Sequence, residues 1–171
     1  FESVLKKMLQ LKHWQLFLFM VLPAVLPVPS PFKGIVHLLA LTLYFLWLYA
    51  IIHEGQPKLK QYGLPPLKER SVKFHLSALF VFTLLSILMP ESGMEAERGA
   101  FTVLLQGILF LPSILLFFYI IYAFFYVLIA TAVMLARLEY RQDADFTDYL
   151  TNTLMLMVLF GGIWFVQPRL N

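Results

Sequence analysis

Long apolar runs separated by short polar stretches set the pattern of this chain, and their periods predict helices throughout. The opening FESVLKKMLQLKHW places Phe1, Val4, Leu5, Met8 and Leu9 at i, i+3, i+4, i+7, i+8 spacing, with Lys6, Lys7, Gln10 and Lys12 largely opposite. This predicts an amphipathic interfacial helix over 1–13. An apolar run over 14–29 follows and carries Pro23 and Pro27, so a short, kinked first span is expected, ended by the cluster Pro27, Pro29, Pro31. No small-residue cleavage pattern follows it, which favours a retained span over a signal peptide. Further spans are expected over 35–52, 74–89, 112–136 and 149–166. Trp47 and Tyr49 are placed as interfacial anchors, and Asp145 or Thr147 as the N-cap of the last span.

Phe101 to Ala136 contains no charged residue, and as one helix it would reach about 54 Å, more than a hydrocarbon core requires. Pro112 is its only breaker, so 101–111 is expected as a separate interfacial or re-entrant segment. The longest polar stretch, HEGQPKLKQYGLPPLKERSVK, reads as a basic loop over 53–73.

Composition turns this pattern into a class. With 60% hydrophobic residues, only 13% charged residues and a mean hydropathy of +0.78, the chain lies outside the range of soluble globular domains. The fold class predicted is all-α: one polytopic transmembrane helix bundle of about five spans plus the N-terminal interfacial helix, with the 171 residues forming a single membrane domain. Absence of cysteine excludes disulfides and thiolate chemistry. The chain opens on Phe1, not methionine, so a few further residues are expected before it and after Asn171.

Charge sets the expected orientation. Ten of the 13 Lys and Arg residues fall on one side if the N-terminus is cytoplasmic, leaving Lys33, Arg98 and Arg169 on the other. An N-in, C-out chain is expected. Lys6, Lys7, Lys12, Lys58, Lys60, Lys68, Arg70 and Lys73 form a candidate basic surface for lipid or a protein partner. A net charge of +3 suits anionic lipid better than nucleic acid, and no nucleic-acid role is assigned.

The tripeptide Phe-Phe-Tyr occurs at 117–119 and again at 124–126, one heptad apart. At 100° per residue Tyr119, Tyr122 and Tyr126 share a face with Ala123 and Ala130, while Phe117 and Phe124 point nearly the other way. The pattern predicts a tyrosine and alanine face packed on other helices, or less simply a ligand groove, and a phenylalanine face toward lipid.

Candidate chemistry is sparse. No Asp, Glu, Lys or Arg sits near the middle of a span, which disfavours an ion-coupled carrier. Thr42, Thr83, Ser86, Gln106 and Thr131 remain as pore-lining candidates in an oligomer, or as groups bonded to their own helices. His53-Glu54 lacks the second histidine of a zinc-protease helix, and DADFTD lacks the glycine and glutamate of a calcium loop. His13, His53 and His75 are expected near one interface, a weak candidate metal set. No catalytic residue, cofactor or metal is assigned.

The stretches LKHWQLFLFMVLP (11–23) and GGIWFVQPRLN (161–171) resemble the first and last parts of small uncharacterised polytopic membrane proteins of bacteria. The resemblance implies a bacterial inner-membrane location and supplies no activity. Together the observations predict a non-enzymatic accessory or scaffold subunit, its partners the bilayer and other membrane subunits or itself. An oligomeric channel or transporter component and a lipid-binding or lipid-modifying protein are the alternatives.

Overall fold

The computed structural model describes residues 2–25, 27, 29–88, 100–158 and 162–170, with the backbone alone described at 23, 24, 30, 31, 87, 88, 100–111, 169 and 170. Helices make up the fold, and no strand occurs among the described residues. In chain order they are α1 (Glu2–Gln10), α2 (His13–Met20), α3 (Leu22–Val25), α4 (Ser30–Gln61), α5 (Glu69–Leu88), α6 (Ala100–Tyr140) and α7 (Phe146–Met157). A π-helical turn (Gly162–Val166) and α8 (Gln167–Leu170) follow. Two segments, Phe32–Gln61 of α4 and Pro112–Tyr140 of α6, are long and apolar enough to cross a membrane.

α4 and α6 form the centre of the bundle, where Gly55 of α4 faces Met134 of α6. A Cβ at Gly55 would run into the Met134 thioether, so a larger residue there requires that side chain to move. The core between the elements is filled by Trp47, Leu48, Ile51 and Ile52 of α4 and by Val127, Leu128, Ala132 and Met134 of α6, all essentially inaccessible.

α4 runs well past the end of the predicted span. Residues 53–61 were expected to open a loop, yet they stay helical through Pro57 and stop at a Schellman cap. Gly63 adopts φ 73°, its N–H reaches the Lys60 carbonyl at 3.2 Å, and the Leu64 N–H reaches the Leu59 carbonyl at 2.9 Å. A glycine in the left-handed region followed by Pro65 and Pro66 is the sequence signal for that stop. The loop proper is thereby reduced to 62–68. It is clamped to α4 by Gln56, whose amide donates to the Leu67 carbonyl at 2.9 Å and accepts the Leu67 N–H at 3.1 Å.

α1 buries Leu5 and Met8 against α4 and leaves Val4 50% exposed. Two other expectations are corrected. Segment 101–111 is no separate element, because α6 continues through Pro112 as one helix of 41 residues, about 60 Å long. The run 14–29 divides into α2 and α3, with the break at Val21 just before Pro23. Met89, Pro90 and the acidic loop after them lie outside the described residues.

The predicted last span, 149–166, is also divided. α7 has 12 residues, about 18 Å, too short to cross a hydrocarbon core of about 30 Å. Val158 turns extended, and Gly162 lies against α7 and α4: a Cβ there would be 3.4 Å from Leu156 Cα and 3.5 Å from the Trp47 ring. Gln167 then donates from Nε2 to the carbonyls of Leu9 (2.6 Å) and Leu11 (2.7 Å), at the α1–α2 joint. These bonds tie the C-terminal segment to the α1–α2 joint.

Candidate functional site

The C-terminal end of α4 and the first turns of α5 face each other across the short 62–68 loop, and this places Tyr49, His53, Glu69 and Lys73 together. Spacing explains the set: Tyr49 and His53 are four apart on α4, Glu69 and Lys73 four apart on α5, so each pair lies on one face. A single oxygen, Glu69 Oε1, accepts from Tyr49 Oη at 2.6 Å and from His53 Nδ1 at 3.0 Å, and pairs with Lys73 Nζ at 3.0 Å. An ionised carboxylate only accepts, so the proton on the His53 ring sits at Nδ1 and leaves Nε2 as the acceptor when the ring is neutral. Lys73 also lies 5.5 Å from the centre of the Tyr49 ring.

Electrostatics follow from these contacts. Partial burial works against ionisation of Glu69, but hydrogen bonds from Tyr49, His53 and Lys73, with the Lys73 charge, outweigh it and hold the carboxyl at about 2. The bonds to Tyr49 and Glu69 push the Lys73 ammonium above its ordinary value. Neither group is therefore poised to exchange a proton near neutral pH, and the pair acts as a fixed ion pair.

Two cavities meet at this cluster. Between α4 and α5 runs a groove of about 820 Å³, lined by Thr42, Phe45, Leu46, Leu76, Phe80 and Val81, with Tyr49, His53 and Lys73 at its polar end. Beyond it a second cavity of about 850 Å³ is lined by Lys6, Glu54, Gln56, Lys60 and Glu69. Glu2 and His53 line both. An apolar trough with a charged end is an arrangement suited to an amphipathic ligand.

No family model, curated protein or solved structure matches the chain, so the geometry alone carries the functional reading.

Of the basic residues expected to form one surface, the structure brings only Lys6, Lys60 and Lys73 to these cavities. Lys58, Lys68 and Arg70 are exposed around the same end of the bundle. Lys7 is exposed on α1, and Lys12 is exposed at the α1–α2 joint, where its backbone N–H is capped by Gln15 Oε1 at 2.9 Å.

The tyrosine and alanine face of α6 meets α5 at His75, which is 8% exposed. Its Nδ1 lies 3.1 Å from Tyr119 Oη, and its ring centre is 5.5 Å from that of Tyr122 and 4.6 Å from that of Tyr126. Ala123 is fully buried and Ala130 half-buried. On the other face Phe117 is exposed while Phe124 packs against the core. Thr42, Thr83 and Thr131 donate to carbonyls four residues back, and Ser86 to one three back. The Gln106 side chain lies outside the described residues.

The histidines do not converge. His13 lies 4.4 Å from the Trp164 ring, His53 binds Glu69, and His75 sits among tyrosines. No three His, Asp or Glu side chains come together among the described residues.

Sequence reasoning missed the Glu69 cluster and Gln167. Trp47 and Tyr49, expected as interfacial anchors, are buried, Trp47 completely and Tyr49 to 5% exposure. The i, i+4 pairs Tyr49/His53 and Glu69/Lys73 were visible signals. What made them one site was the Gly63 cap, which sets α5 against the end of α4.

Proposed function

We propose that this chain is a non-enzymatic, multi-pass protein of a bacterial inner membrane that holds an amphipathic lipid in the α4–α5 groove. The observation that carries the reading is the groove itself, apolar from Thr42 to Val81 and closed at one end by a Tyr49–His53–Glu69–Lys73 cluster in which Glu69 and Lys73 form a fixed ion pair. At 1.5 Å per residue, Thr42 to His53 spans about 16 Å of helix, enough for most of one acyl chain. The headgroup would rest on the basic end, where Lys58, Lys68 and Arg70 are also exposed. A Glu69–Lys73 ion pair fixed by its hydrogen bonds supports binding over catalysis.

In this reading α4, α5 and α6 cross the bilayer, α1–α3 form a broken crossing antiparallel to α4, and α7 with α8 enters partway and returns. The basic end is cytoplasmic, with the N-terminus on that side. Because the chain has no cysteine, single cysteines test this directly. Cysteines at Lys68 and Gln142 label from the cytoplasmic face, and one at Lys33 labels from the other.

The lipid reading is tested by gentle extraction and mass spectrometry of retained lipid. Ser77 of α5 also lines the groove, so Ser77→Trp fills it and abolishes retention, while Phe117→Trp on the outer face of α6 leaves it unchanged. Equal retention by both variants overturns the reading.

A second reading, an accessory subunit, is favoured by α6. Leu115, Leu116, Phe117, Phe118 and Tyr122 form an uncovered apolar patch on a helix that could cross the bilayer. Co-purification of a stoichiometric partner lost in Phe118→Ala would support it.

A further inference from the structure

The second cavity says which headgroup the groove receives. We propose that the site selects a zwitterionic phospholipid whose headgroup ends in a primary amine, with the amine on Glu2 and Glu54 and the phosphate on Lys6 and Lys60. The proposal rests on the lipid-binding reading above and adds the ligand class.

Charge balance carries the argument. Across the two cavities the walls present three carboxylates, Glu2, Glu54 and Glu69, and three ammoniums, Lys6, Lys60 and Lys73. Glu69 and Lys73 are committed to each other at 3.0 Å, with Tyr49 and His53 completing the coordination of Glu69 Oε1. That leaves two carboxylates and two ammoniums around a cavity of about 850 Å³. A purely anionic headgroup would meet the lysines but leave Glu2 and Glu54 facing like charge, which costs affinity. A headgroup carrying both signs satisfies all four.

The form of the cation follows from the lining. A quaternary ammonium has no N–H to donate and is recognised by ring faces. Among the described residues that line this cavity there is no Phe, Tyr or Trp. Carboxylates instead call for a cation that donates hydrogen bonds, which a primary ammonium does.

The two halves of the site are also joined correctly. Glu2 and His53 line both cavities, so a headgroup in the polar one leads past them to a tail in the apolar one. His53 is held by Glu69 through Nδ1, so its ring is a fixed post between headgroup and tail.

The test is a native mass-spectrometry competition on the delipidated full chain. Phosphatidylethanolamine, phosphatidylcholine and phosphatidylglycerol with identical acyl chains are offered at equal concentration. Phosphatidylethanolamine is expected to be retained roughly tenfold over each of the others, a ratio typical of one charge-assisted hydrogen bond. Glu54→Gln is expected to bring phosphatidylethanolamine down to the level of phosphatidylcholine, and Lys60→Gln to weaken all three. Thermal unfolding of both variants verifies that they remain folded, and Glu2→Gln serves in place of Glu54→Gln if that variant fails. Equal or stronger retention of phosphatidylglycerol overturns the assignment, as does a preference untouched by both glutamate variants. If Ser77→Trp displaces no lipid of any class, the lipid-binding reading itself falls. If it displaces all three classes and they bind equally, only the headgroup assignment falls.

Discussion

The Trp47 indole N–H donates to Gln167 Oε1 at 2.8 Å, joining residues 120 positions apart, both with no exposed surface. The same Gln167 side chain donates to the carbonyls of Leu9 and Leu11, which the end of α1 leaves without helical partners. One amide thus satisfies the middle of α4, the α1–α2 joint and its own need for partners. The stretches 11–23 and 161–171 also pack on each other here through His13, Phe17 and Trp164. Their residues are explained by this junction without any ligand.

Gln167→Leu is expected to strand a buried indole N–H and two carbonyls, at a cost of about 2–4 kcal/mol. In detergent this appears as a fall of roughly 5–10 °C in the unfolding midpoint, followed by tryptophan fluorescence. Gln167→Glu is at least as damaging, because a carboxylate cannot donate to Leu9 and Leu11. An unchanged midpoint in both variants would show that the junction does not hold the ends together.

Stability should depend on acid through Glu69. Its carboxyl lies at about 2 when folded, below the ordinary value of 4.5, so its contribution is fully present above pH 4.5 and is lost as pH falls toward 2. The size is on the order of 1 kcal/mol once screening by water is allowed for. Glu69→Gln should flatten this part of the pH profile of the unfolding midpoint, and a profile identical to that of the parent chain contradicts the assignment.

At the α4–α6 crossing, Gly55→Val drives a branched side chain into Met134, an overpacking that costs about 1–3 kcal/mol. Gly55→Ala is milder, since the thioether can rotate and alanine favours helix. Met134→Ala combined with Gly55→Val should recover stability relative to Gly55→Val alone, and a double mutant worse than both singles refutes the contact.

Tyr44 donates to the Leu156 carbonyl at 2.6 Å, in the last turn of α7. Tyr44→Phe removes that donor and should cost about 1–2 kcal/mol. The loss should be local: limited proteolysis accelerates within 146–158, while α4 to α6 keep their protection. Uniform acceleration along the chain would point to a global role for Tyr44.

Much of the architecture was legible in local patterns. Apolar length read the runs 35–52, 74–89 and 112–136 as helical, as they are over their described residues, while on α6 Ala123 is buried and Tyr119 and Tyr126 meet His75 but Tyr122 stays 55% exposed and Phe124 packs against the core. The helix stop at Gly63 was also written locally, in Gly-Leu-Pro-Pro. Periodicity, however, reports only that a face is apolar and says nothing of what covers it. The stripe of α1 fits a lipid surface and the flank of α4 equally well, and only the packing chose α4.

Length and hydropathy likewise cannot tell an apolar run that crosses from one that turns back. Between 149 and 166 the difference lies in Gly162 packing onto Leu156 and in Gln167 finding Trp47, contacts between segments distant in sequence. By itself, then, the chain determined its class, its helical content and which faces are apolar, because those depend on near neighbours. The junction of Gln167 with Trp47 and Leu9, the Glu69 cluster and the groove beneath it were decided only by tertiary structure, because each needs side chains that the fold alone brings within hydrogen-bonding distance.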